Sequence, residues 1–149
     1  MKKIQFLAAF LFIGLLLTSC DDDDNPVLIN EEEVITTLTA TLTPNTMGAT
    51  NITLQTQDLD GDGPNAPVVT VSGNLIAGTV YSGSIVLLNE TVSPAEDITE
   101  EVEEESDEHQ FFYTVGGLDA TVTATNNDIN GNPLGTEFTL NAGAAGSGT

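Results

Sequence analysis

The stretch Leu75-Ile76-Ala77-Gly78-Thr79-Val80-Tyr81-Ser82-Gly83-Ser84-Ile85-Val86-Leu87-Leu88-Asn89 decides the fold. From Thr79 onward it is rich in β-branched and aromatic residues, and near its end it is apolar at consecutive positions. That pattern predicts a central strand, buried on both faces over part of its length. Weaker runs of the same kind flank it. Upstream, Val34, Thr36, Leu38, Ala40 and Leu42 fall on one face with Ile35, Thr37, Thr39, Thr41 and Thr43 opposite. Asn51–Gln57 alternates again with Ile52 and Leu54 inward, and Val68–Ser72 follows a turn-rich loop over Asp58–Pro67. Downstream, His109–Val115, Ala120–Thr125 and a run from Glu137 to Leu140 complete a set of about seven strands. Strands at this spacing, with no long amphipathic helix between them, predict an all-β antiparallel sandwich.

The first half of the deciding stretch carries a more specific signal. Leu75-Ile76-Ala77-Gly78-Thr79-Val80-Tyr81 resembles the L-x-x-G-T-x-Y signature of fibronectin type III and related immunoglobulin-like domains. The resemblance implies a tyrosine corner built on Leu75, Gly78 and Tyr81, in which the phenol hydroxyl bonds back to the preceding turn.

One segment breaks the β pattern. Glu96–Glu108 holds nine acids in thirteen residues. Ser93-Pro94-Ala95-Glu96 reads as a capping box with proline at the first helical position. Ile98 and Val102, one turn apart, would pin a short helix against a sheet. Like-charge pairs such as Glu100/Glu104 and Glu101/Glu105 oppose that helix by about 0.2–0.5 kcal/mol each. The expectation is therefore a short acidic helical insertion, exposed and soft.

Charge excludes whole classes of function. The 149-residue chain has 23 acids, and its only two cationic side chains are Lys2 and Lys3. Nucleic-acid binding needs clustered Lys and Arg, and phosphoryl-transfer sites lean on the same residues, so neither class is expected. Met1-Lys2-Lys3 followed by the apolar run Ile4–Leu17 reads as a signal peptide over residues 1–19, too short for a comfortable membrane span. Leu17-Thr18-Ser19-Cys20 resembles the bacterial lipobox, which implies cleavage before Cys20 and a diacylglyceryl group on its thiol. Cys20 is the only cysteine, so no disulfide can form within the chain. Asp21, Asp22, Asp23 and Asp24 resemble the export signal of Bacteroidota lipoproteins. The resemblance implies an outer-membrane lipoprotein exposed at the cell surface, with periplasm-facing attachment as the alternative. Read physically, the same run is a charged tether over residues 20–32 that holds the 33–149 domain off the membrane.

A wider resemblance spans nearly all of the mature chain. The runs NEEEVITTLTATLTP, QDLDGDGPNAPVVTVSGNL, LLNETVSPAEDITEEVEEE and DEHQFFYTV resemble a group of small flavobacterial envelope lipoproteins labelled "type 1 periplasmic binding fold". The fold that label denotes is a two-domain α/β architecture, and no βαβ alternation occurs here. Members run longer at the C-terminus. The closing run from Gly143 to Thr149 is thus either a flexible tail or the point where a last strand or hairpin is missing, and the resemblance favours the second.

Candidate chemistry is sparse. Asp58-Leu59-Asp60-Gly61-Asp62-Gly63 satisfies D-x-D-x-D-G, the first half of a calcium loop, in which alternate carboxylates converge and glycine allows the turn. The twelfth position is Val69 rather than Glu and the flanks are strands, so a Ca²⁺ bound by Asp58, Asp60 and Asp62 would need a further carboxylate from elsewhere. Without it the loop is an Asp/Gly turn. Asp128-Ile129-Asn130-Gly131-Asn132 has the same spacing with fewer charges and reads as a turn. His109 lies near Glu105 and Glu108, yet no second His or Cys completes a zinc set. No Ser/His/Asp arrangement or G-x-S-x-G elbow supports hydrolysis. On a strand, Phe112 would pack inward and leave Phe111 and Tyr113 on the other face, as a platform or a second core contact. The expected function is a non-enzymatic, lipid-anchored binding or accessory module for a small molecule, glycan or envelope protein. The alternative is a calcium-stabilised structural or adhesive surface lipoprotein.

Overall fold

The computed structural model describes residues 33–61 and 63–148. The expected signal peptide and tether, with Cys20 and Asp21–Asp24, and also Asp62, lie outside the described residues. The described residues form one compact unit. Its elements are β1 (Thr37–Pro44), β2 (Ile52–Gln57), β3 (Val68–Val71), β4 (Val80–Asn89), β5 (Glu96–Asp97), α1 (Thr99–Glu104), β6 (Ala120–Ala124) and β7 (Glu137–Ala142). The protein is all-β and antiparallel. Hydrogen bonds join six strands in the order β3-β2-β1-β4-β7-β6, and β5 adds to one end of β4.

Alternation explains most of the strand faces. Along β4, Tyr81, Gly83, Ile85 and Leu87 are buried while Ser82, Ser84 and Val86 are exposed. β4 is central, flanked by β1 and β7. Its outer face is not buried, however: Ser82, Ser84 and Val86 are exposed and Leu88 is half-buried, so the expected burial on both faces is replaced by simple alternation. The inner face of the sheet gathers Leu42, Ile52, Tyr81, Ile85, Leu87 and Phe138 into a core closed by Ile98 and Val102 from the helical segment. Each such side chain contributes about 1.5–3 kcal/mol when fully buried.

Three expectations are corrected. First, β1 begins at Thr37, and Val34 and Ile35 are exposed ahead of it. Thr37 is the first residue that pairs with both neighbours, Gln57 on β2 and Leu88 on β4.

Second, the helix does not start from a capping box at Ser93. Glu96 and Asp97 are drawn into pairing with Asn89 and Leu88, so the helix opens only after them. It spans six residues, with Ile98 at its N-cap and no side-chain cap on that residue. Asp97 Oδ1 instead accepts a bond from the Thr99 N–H at 2.9 Å. Ile98 N–H donates to the Leu87 carbonyl at 3.0 Å, and the Leu87 N–H donates to Thr99 Oγ1 at 2.9 Å. These bonds seat Ile98 and Val102 on the core.

Third, residues 109–115 form no strand. Phe111 and Tyr113 pack against the core, while Phe112 is 82% exposed. The inward placement of Phe112 is thereby overturned, while Phe111 and Tyr113 make the core contact rather than an open platform. Two large rings on one side bury more apolar area than one, and a slip of one residue exchanges every side chain between faces.

Candidate functional site

The segment at 111–118 straps across the inner face of the sheet. The Phe111 N–H donates to the Leu134 carbonyl at 2.7 Å, and the Tyr113 hydroxyl donates to the Gly135 carbonyl. Gly135 has φ +93°, a left-handed conformation that lets its backbone lie against the strap. Tyr113 stacks on Phe138 with ring centroids 4.6 Å apart and planes tilted by 42°. Burial pushes the Tyr113 phenol up to about 12, so it stays neutral across the physiological range.

Beside this strap lies a cavity of about 230 Å³. Leu42, Ile52, Leu54 and Val71 from β1–β3 form one wall, and Val122, Phe138 and Leu140 from β6 and β7 form the other. β3 and β6 stand at opposite ends of the strand order, so a common cavity requires the sheet to curl until they face one another. Tyr113, Val115 and Leu118 of the strap close part of the opening. No lining side chain is ionisable apart from the Tyr113 phenol, which is already committed to Gly135.

The residues singled out in the sequence occupy other places. Tyr81 is fully buried, and its hydroxyl accepts the Ile76 N–H at 2.7 Å. Leu75 packs against the core and also lines the cavity. Gly78 has φ +72°, a left-handed conformation that turns the chain into β4. The N–H of Gly78 donates to the Gly143 carbonyl at 3.0 Å, which fastens the corner to the end of β7.

In the Asp58–Gly63 loop, Asp58 Oδ1 accepts the Gly61 N–H at 3.0 Å. Asp60 Oδ2 accepts the Asn65 side-chain amide at 2.7 Å and its backbone N–H at 3.3 Å. The Asn65 amide holds the Asp60 carboxyl below its ordinary range. The two described aspartates therefore already have donors within their own loop. Asp128 likewise accepts the N–H groups of Asn130 and Asn132, at 2.8 and 2.7 Å, and makes a turn.

His109 meets a partner that sequence proximity did not offer. Its Nε2 lies 3.1 Å from Glu33 Oε1. Together with Glu105 these form a group whose ligand-type atoms all lie within 4.8 Å of one another. Burial, with repulsion from Glu108, Glu33 and Glu101, pushes the Glu105 carboxyl above its usual range. Glu33 is 76 residues from His109 in sequence, and no local pattern could have joined them.

Comparison with family models, with curated proteins and with solved structures finds no match. Among the described residues no helix is long and apolar enough to cross a membrane.

Proposed function

We propose that this chain is a lipid-anchored, non-enzymatic binding module of the cell envelope, and that its ligand site is the apolar cavity under the 111–118 strap. The cavity is the observation that carries the reading. It is concave and preformed, and it is walled by apolar side chains from five strands and a strap, the usual build of a small-molecule site. The anchor rests on Leu17-Thr18-Ser19-Cys20 and the surface address on Asp21–Asp24. Both agree with the resemblance to small flavobacterial envelope lipoproteins. A fibronectin type III-like sandwich is the finer fold reading. The Tyr81–Ile76 bond supports it, whereas the unbroken path through six strands is what such a sandwich would divide between two sheets.

Purification of the protein from envelopes, followed by solvent extraction and mass spectrometry, tests the binding role. A small molecule should co-purify, and Ala120→Phe, which places a ring in the cavity, should deplete it. If nothing co-purifies, or the variant retains the same molecule in full, the cavity is not the site. For the anchor, Cys20→Ser should abolish incorporation of a fatty-acid label; retained label would refute lipidation at that residue. The competing reading, a calcium-stabilised structural lipoprotein, rests on the spacing of Asp58, Asp60 and Asp62. It ranks second because Asp58 and Asp60 already accept hydrogen bonds within the loop.

A further inference from the structure

We infer that the cavity is selective for uncharged, hydrocarbon-like molecules and rejects carboxylate amphiphiles such as free fatty acids; this rests on the binding role proposed above. The first ground is size. An apolar cavity of about 150 Å³ stays dry and accepts benzene, so 230 Å³ holds about nine non-hydrogen atoms in proportion. That is an alkyl segment or a small aryl group, rather than a sugar.

The second ground is the polarity of the lining. A glycan or a polar metabolite needs convergent donors and acceptors. The Tyr113 hydroxyl is spent on the Gly135 carbonyl, and burial keeps the phenol neutral. Leu42, Leu54, Val122 and Leu140 offer only hydrocarbon. A polar group seated there would lose its water without replacement.

The third ground is how charge is distributed along the chain. Every lining residue comes from a stretch without Asp, Glu, Lys or Arg: 34–57, 63–89, 109–118, 120–127 or 138–149. The acids lie between these stretches, and no Lys or Arg occurs after Lys3. A bound carboxylate would therefore find no cation to pair with, and it would stand in the field of a domain that carries 17 acids over residues 33–149 and no Lys or Arg. Strong recognition of a carboxylate uses charge-assisted hydrogen bonds from an Arg or Lys. Here the chemistry of recognition is exclusion: the site admits the tail and leaves nothing for an anionic head.

The test uses the full chain in its own envelope membranes at pH 7.5. Two photoactivatable probes with the same eight-carbon chain and a terminal diazirine are compared, one ending in an alcohol and one in a carboxylate. Mass spectrometry after cleavage at Glu locates the adducts. The alcohol should label cavity residues at least about tenfold more than the carboxylate. Ala120→Phe inside the cavity and Thr114→Trp at its exposed mouth should each suppress that labelling, with melting curves confirming that the variants fold. Thr114 is exposed, so its replacement remains informative if the core variant fails to fold. Equal labelling of the cavity by both probes would overturn the selectivity and leave the binding role standing. Absence of cavity labelling by either probe would overturn both.

Discussion

Phe138 lies across Gly83. The two face each other in the β4–β7 register, and a Cβ built on Gly83 would come within 2.2 Å of the Phe138 ring. Gly83 stands on the buried face of β4 between Tyr81 and Ile85, so the missing side chain is the space the ring occupies. Tyr113 packs against that ring as well. One glycine in the central strand thus seats an aromatic ring that lines the cavity. Gly83→Ala should destabilise the protein by about 1–3 kcal/mol through overpacking against a rigid ring. Denaturant unfolding measures this, and in a double-mutant cycle Phe138→Leu should recover part of the loss. Additive effects would mean that the two residues do not share one space.

Tyr81→Phe should cost roughly 1–2 kcal/mol, because it removes the acceptor of the Ile76 N–H while leaving the ring in place. Hydrogen exchange at the Ile76 amide should accelerate in the variant. An unchanged melting curve together with unchanged exchange would refute the corner bond.

Glu105→Gln should raise the melting temperature at pH 7. Burial, then Glu108, Glu33 and Glu101, make the carboxyl hold its proton above the ordinary range. The folded state therefore binds that proton more tightly than the unfolded chain does. Its contribution is favourable below the unfolded value and is lost as pH rises through the folded one. The gain from Gln should disappear near pH 4, where the native carboxyl is largely protonated. Asp60, Glu90 and Asp128 act in the opposite sense, since hydrogen bonds from Asn65, Thr37 and Asn132 respectively hold them low. Their contribution is present above the unfolded values and is lost as pH falls through the lowered ones. Melts of wild type and variant at the two pH values decide the matter. A gain that persists at pH 4 would contradict the raised carboxyl.

Millimolar Ca²⁺ should raise the melting temperature more than NaCl of equal ionic strength if Asp58, Asp60 and Asp62 hold the ion. Asp60→Asn combined with Asp62→Asn should remove that difference and keep the general salt response of the 96–108 run. Equal effects of the two salts would leave the loop as the hydrogen-bonded turn that Asp58 and Asp60 already make.

What could be read from the sequence was whatever alternates. The inward placement of Leu42 and Ile52 and the pairing of Ile98 with Val102 follow from local period, whereas the corner at Tyr81 was marked by the L-x-x-G-T-x-Y resemblance. The segment at 109–115 could not be read this way. Its aromatic run has strand composition, but the Phe111 N–H and the Tyr113 hydroxyl bond to the carbonyls of Leu134 and Gly135 in the loop before β7, a distant partner with no signature. The start of the helix was hidden for a related reason. Glu96 and Asp97 have helical neighbours in sequence but strand partners in space. The cavity depends on the curl that brings β3 opposite β6, and curl is a property of the whole sheet rather than of any window of residues.

β3 ends the strand order, and Val68, Val69 and Val71 are 59, 72 and 58% exposed on it. An uncharged, β-branched edge is a template for a neighbouring copy, and proteins commonly blunt such edges with a lysine or a proline within the strand. This chain has no cation there to do so, and Pro67 only precedes the strand. The protection is colloidal instead: the acids crowded into the loops and the helix repel neighbouring molecules before their edges can meet. Solubility is thus held at a distance from the surface it guards, and it can be withdrawn without unfolding anything. Acidification or high salt would release folded molecules to associate through β3 while each kept its native sheet intact.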